Sequence, residues 1–183
     1  MLFRSVAEGG KLWVGSGITI RCYDVSQSTT PIFLYEIPLY MQTPLIRPHR
    51  MVKINNYLYA ITLGSYLARI KLGDGGADEI IINQTRYSPN TNLLKLGEGL
   101  LVGSCDGLSV FNIQDPSQLK EVAFRDVEQV IEGDYIVLTS YAVNGDRIYV
   151  GQGKSLQVLD ASTAIAFTRL DTPEADQELV IFP

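Results

Sequence analysis

Three basic side chains, Arg47, His49 and Arg50, crowd into the stretch PLYMQTPLIRPHR (38–50), beside Tyr40, Met41 and Leu45. A guanidinium fork matches a carboxylate through two hydrogen bonds, and Arg, Met and aromatic side chains are enriched where partners dock. Arg86 and Tyr87, in NQTRYSPNT (83–91), repeat the combination of cation and ring. Arg47, His49, Arg50, Tyr40, Arg86 and Tyr87 are therefore the candidate binding residues, suited to an acidic or carboxylate-bearing partner. The alternative for the first stretch is a proline-braced surface loop whose charges are solvated or locally paired.

Other chemistry is poorly supplied. The chain has one histidine, which excludes a multi-histidine metal site. A Ser-His-Asp arrangement would have to use His49 with an unmarked serine, and no G-x-S-x-G elbow is present. LGDGGADE (72–79) gathers Asp74, Asp78 and Glu79 around glycines. It lacks the alternating ligand spacing of a calcium loop, so a glycine-rich hairpin with solvated acids is expected. A carboxylate pair acting on a glycoside stays open, because spatial pairing of acids is invisible in sequence. Cys22 and Cys105 form no C-x-x-C pair and are expected to be two small buried side chains, with a single disulfide as the alternative. No catalytic residue, metal or cofactor is expected.

The 183 residues carry a formal charge of −5. A protein that neutralises many phosphates is usually basic, which disfavours a general nucleic-acid or anionic-membrane role. No apolar run approaches the ~20 residues of a membrane-spanning helix. The N-terminus, MLFRSVAEGGKL, lacks the pattern of a secretory leader, so a cytoplasmic chain is expected.

The elements that must position these loops repeat. A tight turn, a short apolar run, a glycine turn and an alternating strand occur at 7–25, 54–72, 96–113 and 142–160. The first apolar residue after each tight turn is Leu12, Leu58, Leu100 and Ile148, spaced by 46, 42 and 48 residues. A second anchor, Ile18, Leu67, Leu108 and Leu156, steps by 49, 41 and 48. Each unit holds about four short strands. The first lies at Leu2–Ala7, Met51–Ile54, Leu93–Leu96 and Thr139–Val143; the fourth at Ile32–Ile37, Glu79–Ile82, Lys120–Phe124 and Ala166–Leu170. No sustained helical period occurs. Four-stranded antiparallel units every 40–50 residues predict an all-β β-propeller of about four blades with a period of about 45 residues. A single such sheet cannot bury both faces; stacking it between neighbours does.

LSVFNIQDPSQLKEVAF (108–124) resembles the LVIVD-type propeller repeat, in which an apolar strand runs into a D-P-S turn and then the outer strand. ITIRCYDVSQSTTPIFLYEI (18–37) is similar, with Asp24 and Pro31 around the turn. LQVLDASTAIAFTRL (156–170) resembles a quinoprotein-type repeat instead, without the glycine after Thr163 or the docking tryptophan. The second unit matches neither. The likeness to LVIVD, WD40-like and quinoprotein-like repeats implies a fold and no catalytic residues.

One propeller domain is expected over 1–183, with blades at about 1–48, 49–91, 92–138 and 139–183. Glu178–Phe182, in the closing stretch DTPEADQELVIFP, can pair beside the N-terminal strand and close the ring, begin a fifth blade or reach another subunit; self-closure is favoured. The expected function is a non-enzymatic platform for a protein partner. The runner-up is a lectin-like binder of glycans or small ligands, which the unlike turns G-S-G, G-S-Y, G-S-C-D-G and G-Q-G-K argue against. A carboxylate-based hydrolase or lyase is the third reading. Oligomeric state stays open.

Overall fold

The computed structural model describes residues 4–27, 29–39, 47–62, 64–115, 119–127, 131–132, 135–136, 139–152, 155–162, 177–178 and 180–181. They divide between two compact units, Met1–Gln84 and Thr85–Pro183. The expected strands at Leu2 and Ala166–Leu170, and the candidate residue Tyr40, fall wholly or partly outside the described residues.

The first unit holds two antiparallel meanders. Blade 1 is β1 (Ser5–Glu8), β2 (Lys11–Ser16), β3 (Thr19–Asp24) and β4 (Ile32–Pro38), paired in that order. Blade 2 is β5 (Arg50–Ile54), β6 (Tyr57–Ile61), β7 (Tyr66–Gly73) and β8 (Gly76–Gln84). Their shared core contains Trp13, Ile20, Cys22 and Ile37 from blade 1 with Leu58, Ala68 and Ile70 from blade 2.

The second unit repeats the plan. Blade 3 is β9 (Asn90–Leu96), β10 (Gly99–Ser104), β11 (Gly107–Asn112) and β12 (Lys120–Asp126). A two-stranded ribbon follows, β13 (Ile131–Glu132) with β14 (Tyr135–Ile136). Blade 4 begins with β15 (Ser140–Asn144), β16 (Arg147–Gln152) and β17 (Ser155–Asp160). Leu101, Leu108 and Val110 of blade 3 share a core with Ile148, Val150 and Leu159 of blade 4.

Every blade turns from its first to its second strand through a two-residue loop, flanked by the pairs Glu8–Lys11, Ile54–Tyr57, Leu96–Gly99 and Asn144–Arg147. The first loop residue has positive φ each time: Gly9, Asn55, Gly97 and Gly145. Glycine and asparagine tolerate that conformation, which matches the twist of the flanking strands. In blade 4 the loop is Gly145–Asp146, because Asn144 stays in the ladder. The third strand ends on a side-chain cap in three blades. The amide of Ser26 donates to Asp24 Oδ1 at 2.8 Å, that of Gln114 to Asn112 Oδ1 at 2.9 Å, and that of Ser162 to Asp160 Oδ1 at 2.8 Å. The caps substitute for a backbone turn and stop the strand.

The C-terminal residues correct the closure expectation. β18 (Gln177–Glu178) adds in parallel to the outer edge of β12, and β19 (Val180–Ile181) adds antiparallel to β17. Among the described residues, they pair inside the second unit. An open strand edge carries unpaired N–H and C=O groups, and these short segments satisfy part of two of them.

Candidate functional site

Antiparallel meanders place the start of the first strand, the second-to-third turn and the end of the fourth strand at one end of each blade. The candidate residues sit there, and the two units use that end differently.

In the first unit, Arg4 and Arg50 stand one blade apart at equivalent register positions, 46 residues from each other, the same interval as Leu12 to Leu58. The amide of Gly15 donates to the carbonyl of Arg4 at 2.6 Å. Gly15 also admits Pro48: a Cβ there would lie 3.0 Å from the proline Cγ and 3.1 Å from Arg4 Cβ. Pro48 is buried, and His49 behind it is 5% exposed, its amide donating to the carbonyl of Ile61 at 2.7 Å. Burial pushes the His49 imidazole below its ordinary value, and the neighbouring guanidiniums of Arg50 and then Arg4 push the same way. The ring is therefore neutral near pH 7. Its Nδ1 is buried with no hydrogen-bond partner among the described residues. Arg47 is exposed, and no ion pair among the described residues uses Arg4 or Arg47. Chemically this is a cationic end, able to receive an anion through its guanidiniums, beside a buried neutral imidazole.

In the second unit the matching loop is consumed internally. Arg86 directs Nε (3.0 Å) and Nη2 (2.8 Å) at Glu121 Oε2, and its guanidinium carbon lies 3.9 Å from the centre of the Phe124 ring. The Tyr87 hydroxyl donates to Asp126 Oδ1 at 2.6 Å. Burial raises the Tyr87 hydroxyl well above its ordinary value, and the bond to Asp126 raises it further. Thr85 Oγ1 donates to the carbonyl of Tyr87 at 3.0 Å and accepts from Asn90 Nδ2 at 3.1 Å. Thus Arg86 and Tyr87 pin their loop onto β12.

The structure brings His49 together with Arg50 and with Arg4, a residue that the sequence reading passed over. The signal was available: Arg4 and Arg50 share the 46-residue step of the repeat. LGDGGADE forms the β7–β8 hairpin around Asp74 and Gly75, and Glu79 pairs with the buried Arg69 at 3.0 Å. Both cysteines are buried, and neither forms a disulfide among the described residues. No helix among the described residues is long and apolar enough to cross a membrane.

Four successive antiparallel meanders with these hairpins, the third widened by the parallel β18, give the chain a β-propeller fold. No family model matches the chain, and no curated protein matches it in sequence. Among solved structures it is similar to a europium-containing methanol dehydrogenase, at 10% identity and a TM-score of 0.53. The likeness covers 81% of this chain and 34% of that one, so the chain spans about a third of the length of that protein. At that identity the likeness is one of fold.

Proposed function

We propose that this propeller is a non-enzymatic interaction platform whose cationic end, formed by Arg4, Arg47, His49 and Arg50, receives an acidic protein segment. The observation that carries the reading is the cluster around His49: guanidiniums gathered beside a buried neutral imidazole, in a chain of net charge −5. Such a contrast concentrates positive potential locally and steers an acidic partner to one place. The Asx caps at Asp24, Asn112 and Asp160 support reading the blades as LVIVD-type repeats. Buried, unbridged cysteines suit a reducing, cytoplasmic setting.

The test is titration with a poly-glutamate peptide, followed by affinity capture from source-cell lysate, using wild type, Arg47→Glu and Arg47→Glu/Arg50→Glu. Binding by the wild type, weakened at least tenfold in the double variant with an unchanged melting temperature, is expected. Undiminished binding by the double variant, or consistent binding in a glycan screen with none to the peptide, overturns the reading.

A further inference from the structure

Arg4 and Arg50 occupy one position of the repeat in two blades. Arg4 leads into β1 and Arg50 begins β5, and these two first strands are neighbours within the first unit. Val6 of β1 and Met51 of β5 pack against the same core. Gly15 stands beside Arg4 on the second strand of blade 1, and Ile61 opposite Arg50 on that of blade 2. Both intervals, Arg4 to Arg50 and Gly15 to Ile61, are 46 residues. The two arginines are therefore displaced by one blade step and leave their sheets in the same sense. Facing sheets pack about 10 Å apart, and that step sets the separation of the two side-chain stems.

The stems are anchored and the strands beside them offer no acid at this end. A Cβ at Gly15 would crowd both Pro48 Cγ, at 3.0 Å, and Arg4 Cβ, at 3.1 Å, so the base of the Arg4 side chain is closely seated. The only carboxylate on β1 or β5 is Glu8. It lies at the far end of β1 and is held by Lys53 Nζ at 2.8 Å. Arg50 is exposed and Arg4 half-buried.

We propose that this end measures the spacing of acids in its partner: it takes an extended segment in the polyproline II conformation, with carboxylates at positions i and i+3, one for Arg4 and one for Arg50. The inference rests on the cationic-end reading above and adds the geometry of the partner. An acidic segment repels itself and extends, which disfavours a helical partner. Polyproline II has three residues per turn and advances about 3.1 Å for each, so i and i+3 share one face about 9 Å apart, close to the blade step. A β-strand repeats its face at about 7 Å and about 13 Å and straddles that step. Each guanidinium forks onto one carboxylate. Once the first pair forms, the second carboxylate is held at high effective concentration near the other arginine.

The test uses the full chain and three end-capped peptides of equal charge, Glu-Pro-Pro-Glu, Glu-Pro-Glu and Glu-Pro-Pro-Pro-Glu, with poly-glutamate beside them. Proline pre-sets the polyproline II conformation in all three. Binding is read by NMR from the Nε–H resonances of Arg4 and Arg50. Glu-Pro-Pro-Glu should bind at least about fivefold more tightly than the other two and shift both resonances together. Arg4→Ala and Arg50→Ala should each abolish the preference and leave the three peptides equal. Arg4→Gln, which keeps the stem against Gly15, should do the same if Arg4→Ala lowers the melting temperature. Binding of poly-glutamate with the three peptides bound alike, or tightest binding at another spacing, overturns this inference and leaves the cationic-end reading standing. A preference that survives loss of either arginine overturns it as well. Failure of poly-glutamate and of every peptide to bind removes both.

Discussion

Two loops at equivalent ends of their blades carry similar residues and meet opposite fates. NQTRYSPNT holds Arg86 and Tyr87, and both are spent: Arg86 on Glu121 and the Phe124 ring, Tyr87 on Asp126. RPHR at 47–50 holds Arg47, His49 and Arg50, and its buried imidazole nitrogen has no partner among the described residues. The difference lies in the strand beside each loop. β12 ends in Phe124, Arg125 and Asp126 and carries Glu121, which together offer a ring and two carboxylates. The neighbours of 47–50 are instead Gly15, the carbonyl of Ile61 and a second arginine, Arg4. An arginine–aromatic pair in a loop is therefore a brace where the adjacent strand supplies acid and a ring, as β12 does for Arg86 and Tyr87.

The sharpest way to break this comparison is to evict the brace. A Cβ at Gly107 would sit 2.6 Å from the carbonyl oxygen of Arg125 and 2.6 Å from Tyr87 Cζ. Backbone cannot yield cheaply, and the ring is held by Asp126. Gly107→Ala should cost about 2–3 kcal/mol, read as a lower melting temperature and urea midpoint. Binding at the cationic end of the first unit should be untouched. A neutral Gly107→Ala would mean that the 83–91 loop is not rigidly seated.

A smaller effect sharpens the contrast between the arginines. Arg86→Ala removes the double contact to Glu121, whose other oxygen is already buried without a partner, and uncovers Phe124. The Arg86 side chain is 36% exposed, so solvent screening limits the loss to about 1 kcal/mol. Arg86→Lys should recover less than half of it, because an ammonium cannot reproduce the fork or the ring stacking. Arg47→Ala should change stability by less than about 0.5 kcal/mol, as expected of an exposed side chain. Equal losses for Arg86→Ala and Arg47→Ala, measured by denaturant unfolding, would erase the distinction between the bracing and the exposed arginine.

The distinction was only half legible in the sequence. The blades were legible because tight turns and apolar runs are local and recur: Leu12, Leu58, Leu100 and Ile148 each follow a positive-φ residue by three positions. The partners of Arg86 and Tyr87 were not, since Glu121 and Asp126 lie 35 and 39 residues away on an outer strand. Arg4 was hidden differently. It sits in no basic cluster of its own, and only the repeat step relates it to Arg50. The terminal segment misled because two-residue strands carry almost no pattern, and their choice of β12 and β17 depends on which edges are open.

The smallest expected effect is also the most specific, because His49 is the only histidine. Its folded-state affinity for protons lies below the ordinary value of 6.5, through burial and the repulsion of Arg50 and Arg4. Above that value both folded and unfolded chains are neutral there, and its contribution to stability is fully present. As pH falls, the unfolded chain takes up the proton first, so stability declines from about pH 6.5 downward until the folded ring titrates too. Asp24 and Asp160 are held below the carboxylate range by the Ser26 and Ser162 hydrogen bonds, so their losses belong to a more acid window. Denaturant unfolding from pH 7 to 5 should therefore show a decline that His49→Gln flattens, while the more acid limb persists in both proteins. The His49 ring resonance, followed by NMR, should titrate below the ordinary histidine value and move upward when poly-glutamate is added. An anion bound at this end offsets the charge of Arg4 and Arg50 and makes the imidazolium easier to form. A depressed titration that poly-glutamate leaves unmoved would keep the electrostatic account of His49 and remove the acidic segment from this end of the molecule.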